Sequence, residues 1–190
     1  MEAFLVSTGV VALAEIGDKT QLLALVLAAR FRKPVPIILG ILVATLLNHA
    51  LAGAAGAWIA SVVGPTALRW ILGLGFIAMA AWTLVPDKFD DEKDGAVGRF
   101  GVFGTTTLAF FLVEMGDKTQ IATVALAAKY GSLAAVVSGT TIGMLLANVP
   151  AVLLGEVAAK KLPMRLVHGI AAAIFFALGV SVLLGFANLG

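Results

Sequence analysis

Apolar residues run along this chain in long blocks separated by short charged punctuation. A helix needs ~20 mostly apolar residues to cross a bilayer. The blocks predict six crossings, over about residues 3–29, 35–60, 66–86, 102–128, 132–158 and 164–187. The longest polar break, from Pro86 to Arg99, carries Asp87, Lys88, Asp90, Asp91, Glu92, Lys93 and Asp94, the composition of a solvated linker. It divides the chain into a three-helix unit at 1–86, an acidic linker at 87–101 and a second three-helix unit at 102–190.

Composition strengthens this reading. Of 190 residues, 61% are hydrophobic and 13% charged, with a mean hydropathy of +1.05; soluble domains run near half apolar and a quarter charged. A soluble domain of similar length still exposes roughly 30% of its chain surface and has nowhere to hide so many apolar side chains. A soluble enzyme and a disordered chain are excluded as first readings. So is a nucleic-acid partner, because the net charge is only +2 and the basic residues form no single patch. The expectation is an all-α polytopic membrane protein whose surroundings are the lipid bilayer. The absence of cysteine excludes disulfides, thiolate metal sites and cysteine nucleophiles. Met1–Glu2–Ala3 lacks the basic region and cleavage site of a removable signal peptide, so none is expected.

Basic residues orient the spans. Arg30, Arg32 and Lys33 fall in the first loop, Lys88, Lys93 and Arg99 in the third, and Lys160, Lys161 and Arg165 in the fifth. The second and fourth loops offer only Arg69 and Lys129. The positive-inside rule then places the odd loops in the cytoplasm and both termini outside, in a multi-pass inner-membrane protein.

The two units are copies. AEIGDKTQLLALVLAARF (14–31) matches VEMGDKTQIATVALAAKY (113–130) at an offset of 99. The same offset pairs Phe4 with Phe103, Gly40 with Gly139, Leu46–Leu47 with Leu145–Leu146, His49 with Asn148 and Gly56 with Gly155. With an odd number of spans per unit, the second copy must enter from the opposite side, giving an inverted repeat of the kind found in secondary transporters.

The best-matched stretch is also the most polar. Glu15, Gly17, Asp18, Lys19, Thr20 and Gln21, with Glu114, Gly116, Asp117, Lys118, Thr119 and Gln120, fall roughly 18 Å inside spans one and four at ~1.5 Å per residue. Entering from opposite sides, both motifs reach the midplane and can meet. On continuous helices, Glu15, Asp18 and Lys19 share a face, as do Glu114, Asp117 and Lys118. Each such charge costs at least ~2.5–3.5 kcal/mol at the bilayer centre. A bland account is a knot of Glu15–Lys19 and Glu114–Lys118 pairs locking the helices, although a buried ion pair seldom stabilises more than an apolar substitute. Four carboxylates against two lysines leave two surplus negative charges, which a divalent cation would neutralise. Carboxylates, the hydroxyls of Thr20 and Thr119, the amide carbonyls of Gln21 and Gln120, and backbone carbonyls freed near Gly17 and Gly116 are hard oxygen donors suited to Ca²⁺, Mn²⁺ or Mg²⁺. A site that balances its charge with either two protons or one divalent cation is in principle an exchanger.

Two copies of Glu-x-Gly-Asp-Lys-Thr, three spans apart around an acidic linker, resemble the Gdt family of Ca²⁺/Mn²⁺:H⁺ exchangers, whose pattern is Glu-x-Gly-Asp-(Lys/Arg)-(Thr/Ser). Both copies match without departure, and the resemblance extends over essentially the whole chain. It implies that Glu15, Asp18, Glu114 and Asp117 form the cation site. It also implies a transporter rather than an enzyme, no resident cofactor, divalent ions and protons as partners, and manganese export as the common bacterial activity.

Weaker candidates surround this motif. His49 and Asn148, mates under the offset, are either helix–helix hydrogen-bond partners or pathway-lining groups, and Asn48 shares their interface. Pro150 is expected to kink span five. Glu156, four residues before Lys160, reads as an interfacial ion pair or a cytoplasmic access acid. Trp58, Trp70 and Trp82 read as interface anchors or packing groups, and His168 as interfacial. Three other functions compete: a proton-coupled exporter of a small organic cation or amino acid, an intramembrane metalloenzyme, and a passive channel. The enzyme reading suffers from having only His49 and His168 as imidazole ligands.

Overall fold

Helix boundaries fall where the chain supplies a start or a stop. Pro34 and Pro65 open helices where a missing N–H costs nothing. Arg32 and Gly131 end two others in the left-handed region, at φ 52° and 62°, and return their N–H groups to the carbonyls of Ala28 and Ala127. The computed structural model describes residues 1–85, 100–154 and 164–185. The acidic linker as far as residue 99, with Gly155, Glu156, Lys160 and Lys161, lies outside the described residues, and α5 begins at Gly101, inside the expected 87–101 linker.

The described residues form eight helices and no strand: α1 (Glu2–Glu15), α2 (Lys19–Phe31), α3 (Pro34–Val62), α4 (Pro65–Thr83), α5 (Gly101–Glu114), α6 (Lys118–Tyr130), α7 (Leu133–Leu154) and α8 (Met164–Leu183). Of these, α3, α4, α7 and α8 are long and apolar enough to cross a bilayer. Helix α7 continues through Pro150 to Leu154.

Continuous helices over 3–29 and 102–128 were expected, and the structure corrects both. Each is a pair of shorter helices, α1–α2 and α5–α6, of 14 and 13 residues. The cause is local. Gly17 and Gly116 adopt φ 85° and 77°, open to glycine and strained for other residues. Ile16 and Met115 before them are extended, at ψ 116° and 121°. Asp18 and Asp117 after them are N-cap residues, a position aspartate favours. Their N–H groups fold back onto the carbonyls of Glu15 and Glu114 at 3.0 and 3.1 Å. The single shared face expected for Glu15, Asp18 and Lys19, and for Glu114, Asp117 and Lys118, is therefore absent.

Helices pack across the midpoint of the sequence: α1 lies against α7, α3 against α5 and α6, and α4 against α8. Small residues let the backbones approach. A Cβ built on Gly139 would meet the Phe4 carbonyl oxygen at 2.5 Å, and one on Gly40 would meet the Phe103 carbonyl oxygen at 3.0 Å. Between α4 and α8, the rings of Phe76 and Phe175 stack with centroids 6.4 Å apart. An apolar interior is combined with an apolar surface and a buried polar cluster. Leu5, Val26, Leu47, Trp58, Trp70 and Leu146 are exposed, whereas Glu15, Asp18, Asn48, His49, Glu114, Asp117 and Asn148 are buried. Among the tryptophans, Trp58, Trp70 and Trp82 are all on the outer surface.

Candidate functional site

The two breaks bring helix ends together inside the bundle. Glu15 and Glu114 end α1 and α5, where the helix dipole is negative and a cation is favoured. Asp18 and Asp117 stand at the N-termini of α2 and α6. One carboxylate oxygen each from Glu15, Glu114 and Asp117 lies within 4.8 Å of the other two. Oxygens sharing a single Ca²⁺ ion, at 2.3–2.6 Å each, sit at most about 5 Å apart. The three carboxylates are thus close enough to share a divalent ion without moving the backbone.

Neighbouring polar groups satisfy only part of each acid. The Thr20 and Thr119 hydroxyls donate to the carboxylates of Glu15 and Glu114, one residue pair in each half. Glu15 Oε1, Glu114 Oε2 and Asp117 Oδ2 are buried and accept no hydrogen bond from the described residues. A buried carboxylate oxygen without a partner on each of three clustered acids is costly unless a proton or a cation meets it.

The lysines do not pair within their own motifs. Lys19 Nζ reaches across to Asp117 Oδ1 at 2.8 Å, and Lys118 Nζ lies 3.8 Å from Asp18 Oδ1. The bland alternative of Glu15–Lys19 and Glu114–Lys118 pairs is not what the fold shows, because each break turns the lysine toward the aspartate of the other motif. The two cross-pairs differ in setting. Lys19 is 25% exposed, while Lys118 is 4% exposed and also donates to the Val85 carbonyl at 3.3 Å. Asp18, paired with Lys118, stands apart from the three-carboxylate cluster.

The glutamines serve the breaks. Gln21 Oε1 accepts the Gly17 N–H at 2.9 Å and Gln120 Oε1 accepts the Gly116 N–H at 2.7 Å, each reaching back to the residue before the N-cap aspartate. Their amide groups tie the breaks to α7 and α3. Gln21 Nε2 donates to the Ala147 carbonyl at 3.0 Å, and Gln120 Nε2 to Asn48 Oδ1 at 3.3 Å. Asn48 in turn donates to the Phe111 carbonyl at 3.0 Å.

His49 Nε2 lies 3.7 Å from Glu114 Oε1, fully buried, so this histidine belongs to the site's wall. Asn148 donates to the Met144 carbonyl at 3.0 Å and leaves its buried Oδ1 without a hydrogen-bond partner among the described residues. His168 is the misread residue. Expected to be interfacial, it is half-buried and its Nε2 lies 2.8 Å from the carbonyl oxygen of Ile16, inside the first break. No local pattern signals this, because the contact joins residues 152 apart in sequence.

The sequence profile of the family described as divalent cation/proton antiporter GDT1 matches residues 3–91 and 102–188. A protein of Vibrio cholerae serotype O1, provisionally named a manganese exporter, is 49% identical over 182 residues, covering 95% of this chain and 90% of that protein. Proteins named GDT1-like protein 3 from the indica and japonica subspecies of rice are each 27% identical over 206 residues, covering 95% of this chain and 73% of theirs. No solved structure shows a significant match to this chain.

Proposed function

Since this chain belongs to the GDT1 family of divalent cation/proton antiporters, we propose that it exports Mn²⁺ from the cytoplasm in exchange for protons, with Ca²⁺ as a second cargo. The competing enzyme reading falls with the family assignment. The cargo choice draws on the name of the Vibrio relative. The cation site is formed by Glu15, Glu114 and Asp117, with Asp18 completing the charge balance. One observation carries this reading: three carboxylates from both halves converge within 4.8 Å, and each keeps a buried oxygen with no hydrogen-bond partner among the described residues.

Exchange follows from charge balance. Four acids against Lys19 and Lys118 leave two negative charges, which one divalent ion or two protons neutralise. Both occupants need the same oxygens, so each displaces the other. Thr20 and Thr119 hold the glutamates in place, and Gln21 and Gln120 hold the breaks open. The decisive experiment is reconstitution into proteoliposomes. An imposed pH gradient should drive Mn²⁺ against its own gradient, and a Mn²⁺ gradient should move protons. Mn²⁺ flux indifferent to the pH gradient would instead indicate a passive channel.

The same proposal includes six crossings, with α1–α2 and α5–α6 each counted as one, in two inverted repeats at 1–86 and 102–190. Equivalent contacts support it. Gly139 against Phe4 and Gly40 against Phe103 are one contact exchanged under the offset of 99, and Phe76 and Phe175 are mates under the same offset. The 87–101 linker then lies in the cytoplasm and both termini outside, in the inner membrane. Because the native chain has no cysteine, single cysteines test this directly. An impermeant thiol reagent applied to intact cells should label a cysteine at position 2 and spare one at position 91; the reverse pattern would invert the topology.

A further inference from the structure

We infer that His168 is a positioning residue for the cation site, acting through the backbone of the first break; this rests on the function proposed above. Its ring nitrogen Nε2 lies 2.8 Å from the Ile16 carbonyl oxygen. Ile16 immediately follows Glu15 and is extended rather than helical, at φ −64° and ψ 116°. In an unbroken helix its carbonyl would accept from the N–H four residues on. The turn at Gly17 removes that partner and leaves a backbone acceptor in a region where water cannot be counted on to replace it. Since a carbonyl only accepts, His168 must carry its proton on Nε2 to make this bond.

The bond constrains more than one carbonyl. Rotation of the Ile16–Gly17 peptide would swing Glu15 on one side and Asp18 on the other, since Asp18 N–H is bonded to the Glu15 carbonyl at 3.0 Å. His168 sits on α8, a helix packed on α4 and α1 and contributing no carboxylate to the cluster. It therefore fixes the direction of the break from an independent support. The residue at the same place in the first half is Arg69, whose Nη1 turns toward Gly185, 3.7 Å from where a Cβ there would stand. The histidine clamp joins α8 of the second half to the break of the first.

A positioning role predicts a change in affinity with little change in turnover. His168→Phe keeps the ring and removes the donor; His168→Ala removes both; His168→Gln keeps an N–H donor at similar reach. Purified full-length variants in proteoliposomes, assayed for Mn²⁺ transport against Mn²⁺ concentration, should show a half-saturating concentration raised about tenfold in His168→Phe and His168→Ala. The maximal rate should stay within about twofold of wild type, and His168→Gln should restore both. Thermal unfolding in detergent accompanies each variant. Wild-type half-saturation in a folded His168→Phe or His168→Ala overturns the inference, as does a fall in maximal rate alone or failure of His168→Gln to rescue. Unfolding of both donor-free variants beside a folded His168→Gln assigns the contact to stability and also overturns it. Wild-type protein that moves no Mn²⁺ in this assay refutes the transport reading itself, an outcome distinct from all of these.

Discussion

Asp117→Asn should abolish Mn²⁺-coupled proton movement while leaving the chain folded. Asparagine keeps the shape of the side chain and can cap α6, but it removes the charge shared between Lys19 and the buried Oδ2. Loss of outer-shell partners costs a metal site 10–100-fold in affinity or activity; loss of one of three clustered carboxylates should exceed that, at more than about 100-fold in transport. Glu15→Gln and Glu114→Gln should behave alike, each still able to accept from Thr20 or Thr119. Asp18→Asn should lose less, because Asp18 stands with Lys118 outside the three-carboxylate cluster. Stability should change by less than about 1.5 kcal/mol, within the ordinary range for point substitutions, since removing one of several crowded like charges relieves repulsion. The measurements are proton flux driven by Mn²⁺ in proteoliposomes and thermal unfolding in detergent. Full coupled transport by Asp117→Asn would remove this cluster from contention. Unfolding of all three variants would restore the view that the acids are a structural knot.

Gly139→Val and Gly143→Val should prevent a stable fold. A Cβ on Gly143 would stand 2.6 Å from the Thr8 carbonyl oxygen, 2.9 Å from the Ala12 nitrogen and 3.0 Å from Val11 Cβ. A Cβ on Gly139 would stand 2.5 Å from the Phe4 carbonyl oxygen and 3.2 Å from Phe4 Cα. Backbone atoms cannot rotate aside, so α1 and α7 would have to separate. Overpacking by a methylene or two costs typically 1–3 kcal/mol; forcing two helices apart along a crossing should cost at least the upper end, about 3 kcal/mol per substitution. Gly9→Ala and Gly75→Ala are the internal controls. Nothing stands within 4 Å of a Cβ at either position, and alanine is favoured over glycine inside a helix by about 1 kcal/mol. Unfolding midpoints in detergent should therefore fall sharply for the first pair and hold or rise for the second. An unshifted midpoint for Gly143→Val would mean that α1 and α7 do not cross as described.

Much of the site was legible in the sequence because its cost was legible. Glu15, Glu114 and Asp117 are charges in apolar runs, they belong to motifs that recur at an offset of 99, and the expected meeting of the two motifs is matched by carboxylate oxygens within 4.8 Å of one another. Helix continuity was not legible. A single glycine in an apolar run is compatible with an unbroken helix, and only the positive φ at Gly17 and Gly116 ends α1 and α5. With continuity goes the shared face expected for Glu15, Asp18 and Lys19, since i, i+4 geometry exists only on a continuous helix, and the lysines pair across the halves instead. The glutamines read as ion donors because their amide oxygens are hard ligands; that the breaks leave the N–H groups of Gly17 and Gly116 in need of an acceptor shows only in the fold. His168 was missed on other grounds. A free carbonyl near Gly17 is legible from the glycine, but which side chain 152 residues away meets it is set by helix packing alone.

The crosswise ion pairs also set a problem of timing. Synthesis delivers Glu15, Asp18 and Lys19 to the membrane about a hundred residues before Glu114, Asp117 and Lys118 exist. During that interval Lys19 has no Asp117, Asp18 has no Lys118, and α3 has neither α5 nor α6 to lie against. The crosswise pairs can therefore close only after the second motif has been made, and the charged interior is completed late in synthesis.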